Sequence, residues 1–303
     1  MATNDSTLSE WDDRPRLTSA TWTLGVPVEV MVALANQLGI DPWFCFPHLA
    51  TDDHITRFAT LVRDSLDPGL TAWYEFSNEV WNFQFGQTQW ALQQAEAQWP
   101  GQGDGWMQYY GGRAAEMAVL LDAVYADAPD RLRKVITAHT AWIDLNHAML
   151  DAPLWVADGP DRRAPKTHFD AYAVTGYFDG GHVAGEEGGT TIATLEEVWA
   201  AQHAIAQEAG LSLVMYEGGS HIVPDRAAID TDPELFDFIE RFHYSDQMGA
   251  LYRRAIDGFG AAGGAFFNAF VEVSGPGPAG FWGARRHVGD DNPRWRAIAD
   301  SRA

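Results

Sequence analysis

The sequence predicts an α/β fold, a parallel sheet wound as a (β/α) barrel, on three observations. First, short apolar runs alternate with helical patterns, and runs such as Trp43-Phe44-Cys45-Phe46 and Leu213-Val214-Met215 are continuously apolar, as strands covered on both faces are. Second, polar and aromatic residues gather where the predicted strands stop: His48, Asn78-Glu79, His139, Tyr177, Glu217 and Trp282. Barrel enzymes build their sites at that end of the strands. Third, no glycine-rich phosphate fingerprint follows an early strand, because Gly185 to Gly189 sits in a loop and lacks the spacing, which weighs against a nucleotide-binding doubly wound sheet.

The elements follow in order. Val28 to Leu38 carries apolar residues at helical spacing and stops at Gly39, a natural C-cap; Pro42 to Pro47 then reads as a buried strand. Thr51-Asp52-Asp53 caps a helix running to about Leu66, and Leu70 to Phe76 is the next strand. A long aromatic, Gly-rich loop leads to an alanine-rich helix over Met107 to Tyr125, and a strand follows at Val135 to Ala138. Phe169 to Thr175 reads as a strand, Leu195 to Ala209 as a helix stopped at Gly210, and Leu213 to Tyr216 as the strand leading into Glu217. Pro233 to Phe259 is helical with a break near Ser245, and Gly264 to Val271 closes the series. No linker or repeat divides the chain, so the expectation is a single domain, with residues 1–27 polar, Pro-containing and irregular.

Composition narrows the function. The 303 residues are 46% hydrophobic and 13% aromatic, enough for a large core. With 20 Lys and Arg against 42 Asp and Glu, the net charge of -22 disfavours nucleic acid or an anionic membrane as a partner; a neutral sugar loses nothing on approach. Adaptation to salt is a second reading of the same acidity. The lone Cys45 excludes an intrachain disulfide and reads as a small buried hydrophobe. The start has neither a basic n-region nor an apolar h-region, and no apolar run spans a bilayer, so the chain as written reads as cytoplasmic by default. A longer parent could be secreted.

Two segments carry the chemistry: Trp73-Tyr74-Glu75-Phe76-Ser77-Asn78-Glu79-Val80-Trp81-Asn82 and Leu211-Ser212-Leu213-Val214-Met215-Tyr216-Glu217-Gly218-Gly219. Each is an apolar strand that ends at a glutamate. Cleaving a glycosidic bond takes such a pair, one carboxyl group to donate a proton and one carboxylate to attack or to activate water. A glutamate among Trp73, Phe76 and Trp81 is expected to hold its proton better than in water, as an acid catalyst must. The competing reading is a strand-end carboxylate paired with an arginine.

Ser77-Asn78-Glu79 resembles the Asn-Glu signature that ends the fourth strand of clan A glycoside hydrolases, and Tyr216-Glu217-Gly218-Gly219 is similar to their seventh, nucleophile strand. The resemblance implies a (β/α)8 TIM barrel that hydrolyses β-glycosides with retention. It makes Glu79 the general acid and base, Glu217 the nucleophile and Asn78 a donor to the sugar 2-hydroxyl. It further matches His48 to a sugar-binding histidine, Tyr177 to a tyrosine that orients the nucleophile, and Trp282 to a sugar platform. Each has a plainer alternative: a structural histidine for His48, and loop packing for Trp282. Tyr177 lies in Thr175-Gly176-Tyr177, without the histidine that precedes it in many members.

His139 reads equally as a site or a core residue, and His221, though near Glu217, is expected not to touch substrate. Of the 13 tryptophans, Trp81, Trp142 and Trp282 fall in predicted strand-end loops, where a flat apolar sugar face could stack. No His-Glu-x-x-His or paired-Cys spacing supports a metal, and no cofactor is expected.

If Glu79 ends a fourth strand and Glu217 a seventh, the chain carries strands three to eight only, an incomplete barrel. Open sheet edges expose backbone donors, acceptors and apolar core, so the expectation is a homo-oligomer that covers them. The functional expectation is a retaining β-glycosidase acting on an oligo- or polysaccharide, with β-1,4-glucan ahead of xylan or mannan. The alternative is a non-catalytic carbohydrate-binding protein derived from a truncated glycosidase barrel.

Overall fold

The computed structural model describes residues 2–179, 191–223, 231–277 and 280–301. The Gly185 to Gly189 stretch lies outside the described residues. Six strands follow one another in the sheet in chain order: β1 (Trp43–Phe46), β2 (Ala72–Phe76), β3 (Leu132–Thr137), β4 (Ala171–Phe178), β5 (Ser212–Ser220) and β6 (Phe267–Ala269). The pairs β1 with β2, β2 with β3, and β5 with β6 are parallel. Helices intervene between successive strands, so the chain is a run of β/α units of the TIM-barrel class, with six strands among the described residues. Among the described residues no helix is long and apolar enough to cross a membrane.

The chain forms two compact units: Met1–Tyr172 with Glu208–Leu211, and Ala173–Gln207 with Ser212–Ala303. In the first, α1 (Val28–Leu38) ends where Gly39 takes a left-handed φ of 62°, as its place after the last apolar residue predicts. In α2 (Asp52–Ser65) the Thr51 hydroxyl accepts the His54 backbone N–H, a true N-cap. At the other end of α2, Arg131 donates to the carbonyls of Arg63 and Leu66 at 3.2 and 2.7 Å, satisfying acceptors that the last turn leaves open.

On one face of the β1–β2 pair, Phe44 and Phe46 pack against Tyr74 and against Phe58 of α2, with ring centroids 5.1 to 5.7 Å apart. The Tyr74 and Tyr125 hydroxyls meet at 2.8 Å, so neither phenol is left unbonded in the core. The opposite face carries Trp43 stacked on Trp73, and then Cys45 level with Glu75. Residues 2–27 are irregular apart from a 3-10 turn, Trp11–Asp13.

Among the described residues, three helices fall where the sequence reads as loop. The expected long loop after β2 contains α3 (Gly86–Gln98) before α4 (Gly105–Val124). The buried positions of α3 are Gln87, Thr88, Ala91 and Ala95. They keep helical spacing, yet they are polar or small, so no apolar stripe marks them. After β3 come α5 (Ile143–Asp151) and the short α6 (Pro153–Ala157).

In the second unit, β4 leads to α7 (Ile192–Ala209), β5 to α8 (Pro233–His243) and α9 (Asp246–Ala261), and β6 to α10 (Pro293–Asp300). Ser245 caps α9, accepting from the Met248 N–H, which explains the expected break. The expected strand over Gly264 to Val271 shortens to β6, whereas β5 runs past Glu217 to Ser220, so Glu217 sits inside its strand and does not end it.

Glu75 is 1% exposed. Its carboxyl accepts from Trp43 Nε1 at 3.0 Å, Cys45 Sγ at 3.4 Å and Thr137 Oγ1 at 2.9 Å. Burial outweighs those bonds and lifts its pKa to about 7. The folded chain thus holds a proton at Glu75 that the unfolded chain releases near its ordinary value, and stability falls as pH rises from about 4.5 to 7. Glu75→Gln, which mimics the neutral acid, is expected to leave stability near wild type at pH 5 and to raise it by roughly 3 kcal/mol at pH 8.5. Urea unfolding at the two pH values measures the difference, and an equal effect at both would show that Glu75 does not titrate in the folded state.

Candidate active site

In the first unit, His48, Asn78-Glu79 and His139 follow the C-terminal ends of β1, β2 and β3, which are parallel neighbours. The chain leaves β2 abruptly. Ser77 and Glu79 have φ of 65° and 41°, values that side-chain-bearing residues rarely adopt. Such strain persists only where the surroundings enforce it, and it concentrates at functional sites. The Glu79 Oε2 accepts from Asn82 Nδ2 at 2.9 Å, a bond between residues three apart in one turn.

Asn78 is tied from both sides. Its Nδ2 donates to Asn4 Oδ1 at 2.9 Å, and its carbonyl accepts from Gln87 Nε2 at 2.7 Å. The same Gln87 nitrogen donates to Asn4 Oδ1, and the Asp5 N–H donates to Gln87 Oε1. Part of the irregular N-terminal segment is therefore built onto the Asn-Glu turn. Nothing in the sequence marks Asn4 for this role, because the contact joins residues 74 positions apart.

His48 is 6% exposed, edge-on to Trp90 at 5.4 Å, and its Nδ1 has no partner among the described residues. Burial lowers its pKa, against a smaller upward pull from Asp5. His139 sits between two indoles, 6.5 Å from the buried Trp81 and 6.3 Å from the exposed Trp142, each edge to face. Its Nδ1 accepts the Ala141 backbone N–H at 3.1 Å, which puts the proton of the neutral ring on Nε2. Burial lowers the His139 pKa, and the nearby Glu79 charge opposes that shift. The ring is thus a neutral Nε2–H donor beside a carboxylate, flanked by a tryptophan that solvent reaches.

In the second unit, four residues of β5 (Met215 to Gly218) span three of β6 (Phe267 to Ala269), a bulge that falls at Tyr216-Glu217. A bulge turns a side chain away from the regular alternation of the strand. The two glycines after Glu217 are demanded by space. A Cβ at Gly218 would lie 2.6 Å from Met215 Sδ, and one at Gly219, where φ is 149°, would lie 2.5 Å from the Tyr252 hydroxyl. The Phe270 N–H donates to the Gly218 carbonyl at 2.9 Å, bringing Phe270 beside the bulge.

Tyr177 lies near the C-terminal end of β4. Its ring meets His221 at 5.7 Å, Trp282 at 6.0 Å and Phe270 at 6.3 Å, while His221 and Trp282 approach to 5.1 Å. Trp282 is far from β6 in sequence but returns to it: the Val271 N–H donates to the Trp282 carbonyl at 3.0 Å and the Ala284 N–H to the Val271 carbonyl at 2.7 Å. The second unit thus gathers Tyr177 with Trp282 and adds His221 and Phe270, neither of which the sequence places in the site. Phe270 hides in an apolar run, and His221 comes within reach only because β5 continues beyond Glu217. Among the described residues no group of three or more His, Cys, Asp or Glu could hold a metal ion.

No protein-family model and no curated protein matches the chain. Among solved structures, the α-L-arabinofuranosidase from Thermotoga maritima, in its arabinose complex, is similar in fold: TM-score 0.54 and 11% identity over 96% of this chain and 56% of that one. The Bacteroides uniformis β-glucuronidase 2, covalently bound to cyclophellitol-6-carboxylate aziridine, matches at a TM-score of 0.47 and 10% identity over 80% of this chain and 25% of that one. A Bacteroides uniformis β-glucuronidase gives 0.47 and 11%, over 84% and 27%. The chain spans from a quarter to just over half the length of these structures.

The Nε2–H tautomer of His139 is open to direct test. Nitrogen-15 NMR of the histidine rings is expected to show its proton on Nε2 and a titration midpoint below the ordinary 6.5. A ring already half protonated at pH 6.5, or carrying its proton on Nδ1, would contradict the geometry described above.

Proposed function

We propose that the chain carries the catalytic machinery of a retaining glycoside hydrolase. The observation behind this reading is that each of the two glutamates singled out by sequence sits on departing backbone: Glu79 on a left-handed turn off β2, and Glu217 in a bulge of β5. Ordinary strand-end carboxylates need neither. The fold shared with the arabinofuranosidase supports the same reading.

In this mechanism Glu79 delivers its proton to the glycosidic oxygen as the carboxylate of Glu217 attacks the anomeric carbon, so the aglycone leaves as an alcohol and the sugar stays on Glu217 as an ester. Glu79, now ionised, takes a proton from water, the hydroxide attacks the same carbon, and Glu217 is released. Retention requires the two carboxyl groups to stand about 5 to 5.5 Å apart when substrate is bound. Asn78 and the His139 Nε2–H serve as donors to sugar hydroxyls, His48 as a further polar contact, and Trp282 as an apolar face for the ring, with the buried Trp81 backing His139.

The substrate of first choice is a β-glucan. The fold likeness to an arabinofuranosidase favours an arabinofuranoside as second choice. A panel of aryl glycosides covering β-glucoside, β-xyloside, β-mannoside and α-L-arabinofuranoside ranks them.

On whichever substrate is turned over, Glu217→Ala is expected to lose at least about 10⁴-fold in kcat and to recover with azide as a glycosyl azide. Glu79→Ala is expected to retain activity on activated leaving groups while losing it on poor ones. Near wild-type turnover of an unactivated glycoside by either variant would end the assignment. Sugar binding without hydrolysis by the wild type would favour a carbohydrate-binding protein.

A further inference from the structure

Arg294 opens α10 and is fully buried, at 0% exposure. A buried guanidinium is costly unless its donors are used. Among the described residues Arg294 makes no ion pair. It donates through Nη1 to the Phe281 carbonyl at 2.7 Å and through Nη2 to the Trp282 carbonyl at 2.5 Å. The Trp282 carbonyl also takes the Val271 N–H, so this one oxygen is held from the β6 side and from the helix. The arginine lies 4.9 Å from the centre of the Tyr252 ring, in cation–π range.

Tyr252 continues the chain of contacts towards Glu217. Its hydroxyl accepts the Ser220 backbone N–H at 3.0 Å and occupies the space that a side chain at Gly219 would need. A second arm runs in parallel: the Ser220 hydroxyl meets His243 Nε2 at 3.1 Å, and the His243 ring stacks on Phe281 at 4.9 Å. The His243 Nδ1 is 2.9 Å from the Ile239 carbonyl, and burial drives the pKa of this ring down to about 4, so it remains neutral. Both arms begin at the end of the Glu217-bearing strand and finish on the Phe281-Trp282 dipeptide, and the arginine is the group that touches Tyr252 and both carbonyls.

We infer that Arg294 is a positioning residue, a buried cation that holds Trp282 in register with the end of the Glu217-bearing strand and so sets the sugar platform of the site. Its function rests on the reading of Trp282 as that platform. The positioning itself does not, and the test separates the two. A merely structural arginine would lower stability without a selective effect at Trp282. Lysine keeps the charge but cannot fork to two carbonyls.

With 5-fluorotryptophan incorporated and the Trp282 resonance assigned through Trp282→Phe, Arg294→Lys is expected to shift or broaden that fluorine signal more than those of Trp43, Trp73 and Trp81. On the best aryl glycoside of the panel, Arg294→Lys is expected to raise KM roughly tenfold with a smaller change in kcat, the pattern of lost ground-state binding. The rise should vanish in a Trp282→Ala background, because the two residues act as a unit. Arg294→Ala should regain part of the lost affinity in millimolar guanidinium.

An unmoved Trp282 resonance in Arg294→Lys, or a KM effect that adds fully to that of Trp282→Ala, would overturn the inference. A shifted resonance in a protein that hydrolyses no glycoside would leave the positioning intact and remove the glycosidase reading.

Discussion

Parallel strand pairing is the constraint from which the rest of this molecule follows. Two parallel neighbours cannot be joined by a tight turn, so the chain must leave the sheet, cross in a helix and return. In the first unit this rule brings the residues after β1, β2 and β3 to one end of adjoining strands, which is why His48, Asn78-Glu79 and His139 are neighbours although up to 91 positions separate them. In the second unit the same rule sets Tyr177 in β4, Glu217 in β5 and Phe270 just past β6. The helices pack the other face, where Phe44 and Phe46 meet Phe58.

Regular strands alternate their side chains strictly, and both candidate glutamates lie where that regularity is broken. At Glu79 the break is a pair of left-handed residues, held by the Asn82 amide and by the Asn4, Asn78 and Gln87 amides around the turn. At Glu217 it is an extra residue in β5, followed by two glycines against which Met215 and Tyr252 pack directly. Left-handed backbone and a bulge each cost free energy, and the neighbouring side chains supply the contacts that keep them in place.

Charge is handled differently in the interior and at the surface. The chain is strongly acidic, and several of its carboxylates meet arginines in exposed pairs, such as Arg57 with Asp53 and Arg296 with Asp291, that contribute little to stability. Two buried ionisable groups break the pattern. Glu75 has three donors and, among the described residues, no paired cation, and burial makes the neutral acid the preferred form up to about pH 7. Arg294 instead donates to two backbone carbonyls and lies over the Tyr252 ring, with its Nε left without a partner among the described residues.

The sequence by itself determined the β/α alternation, because covered strands must be continuously apolar and helices must be capped: Gly39, Thr51 and Ser245 end or begin helices where their chemistry requires. It also marked out the strands that lead to Glu79 and Glu217, since an apolar and aromatic run precedes each. The tertiary structure decided what local pattern cannot encode. The buried face of α3 is made of Gln87, Thr88, Ala91 and Ala95, so its periodicity carries no hydrophobic signal. Asn4 reaches Asn78, Phe270 and His221 join Tyr177 and Trp282, and Arg294 reaches Trp282 through contacts between segments remote in sequence. Such contacts depend on where the sheet returns the chain, and no pattern within one segment records that position.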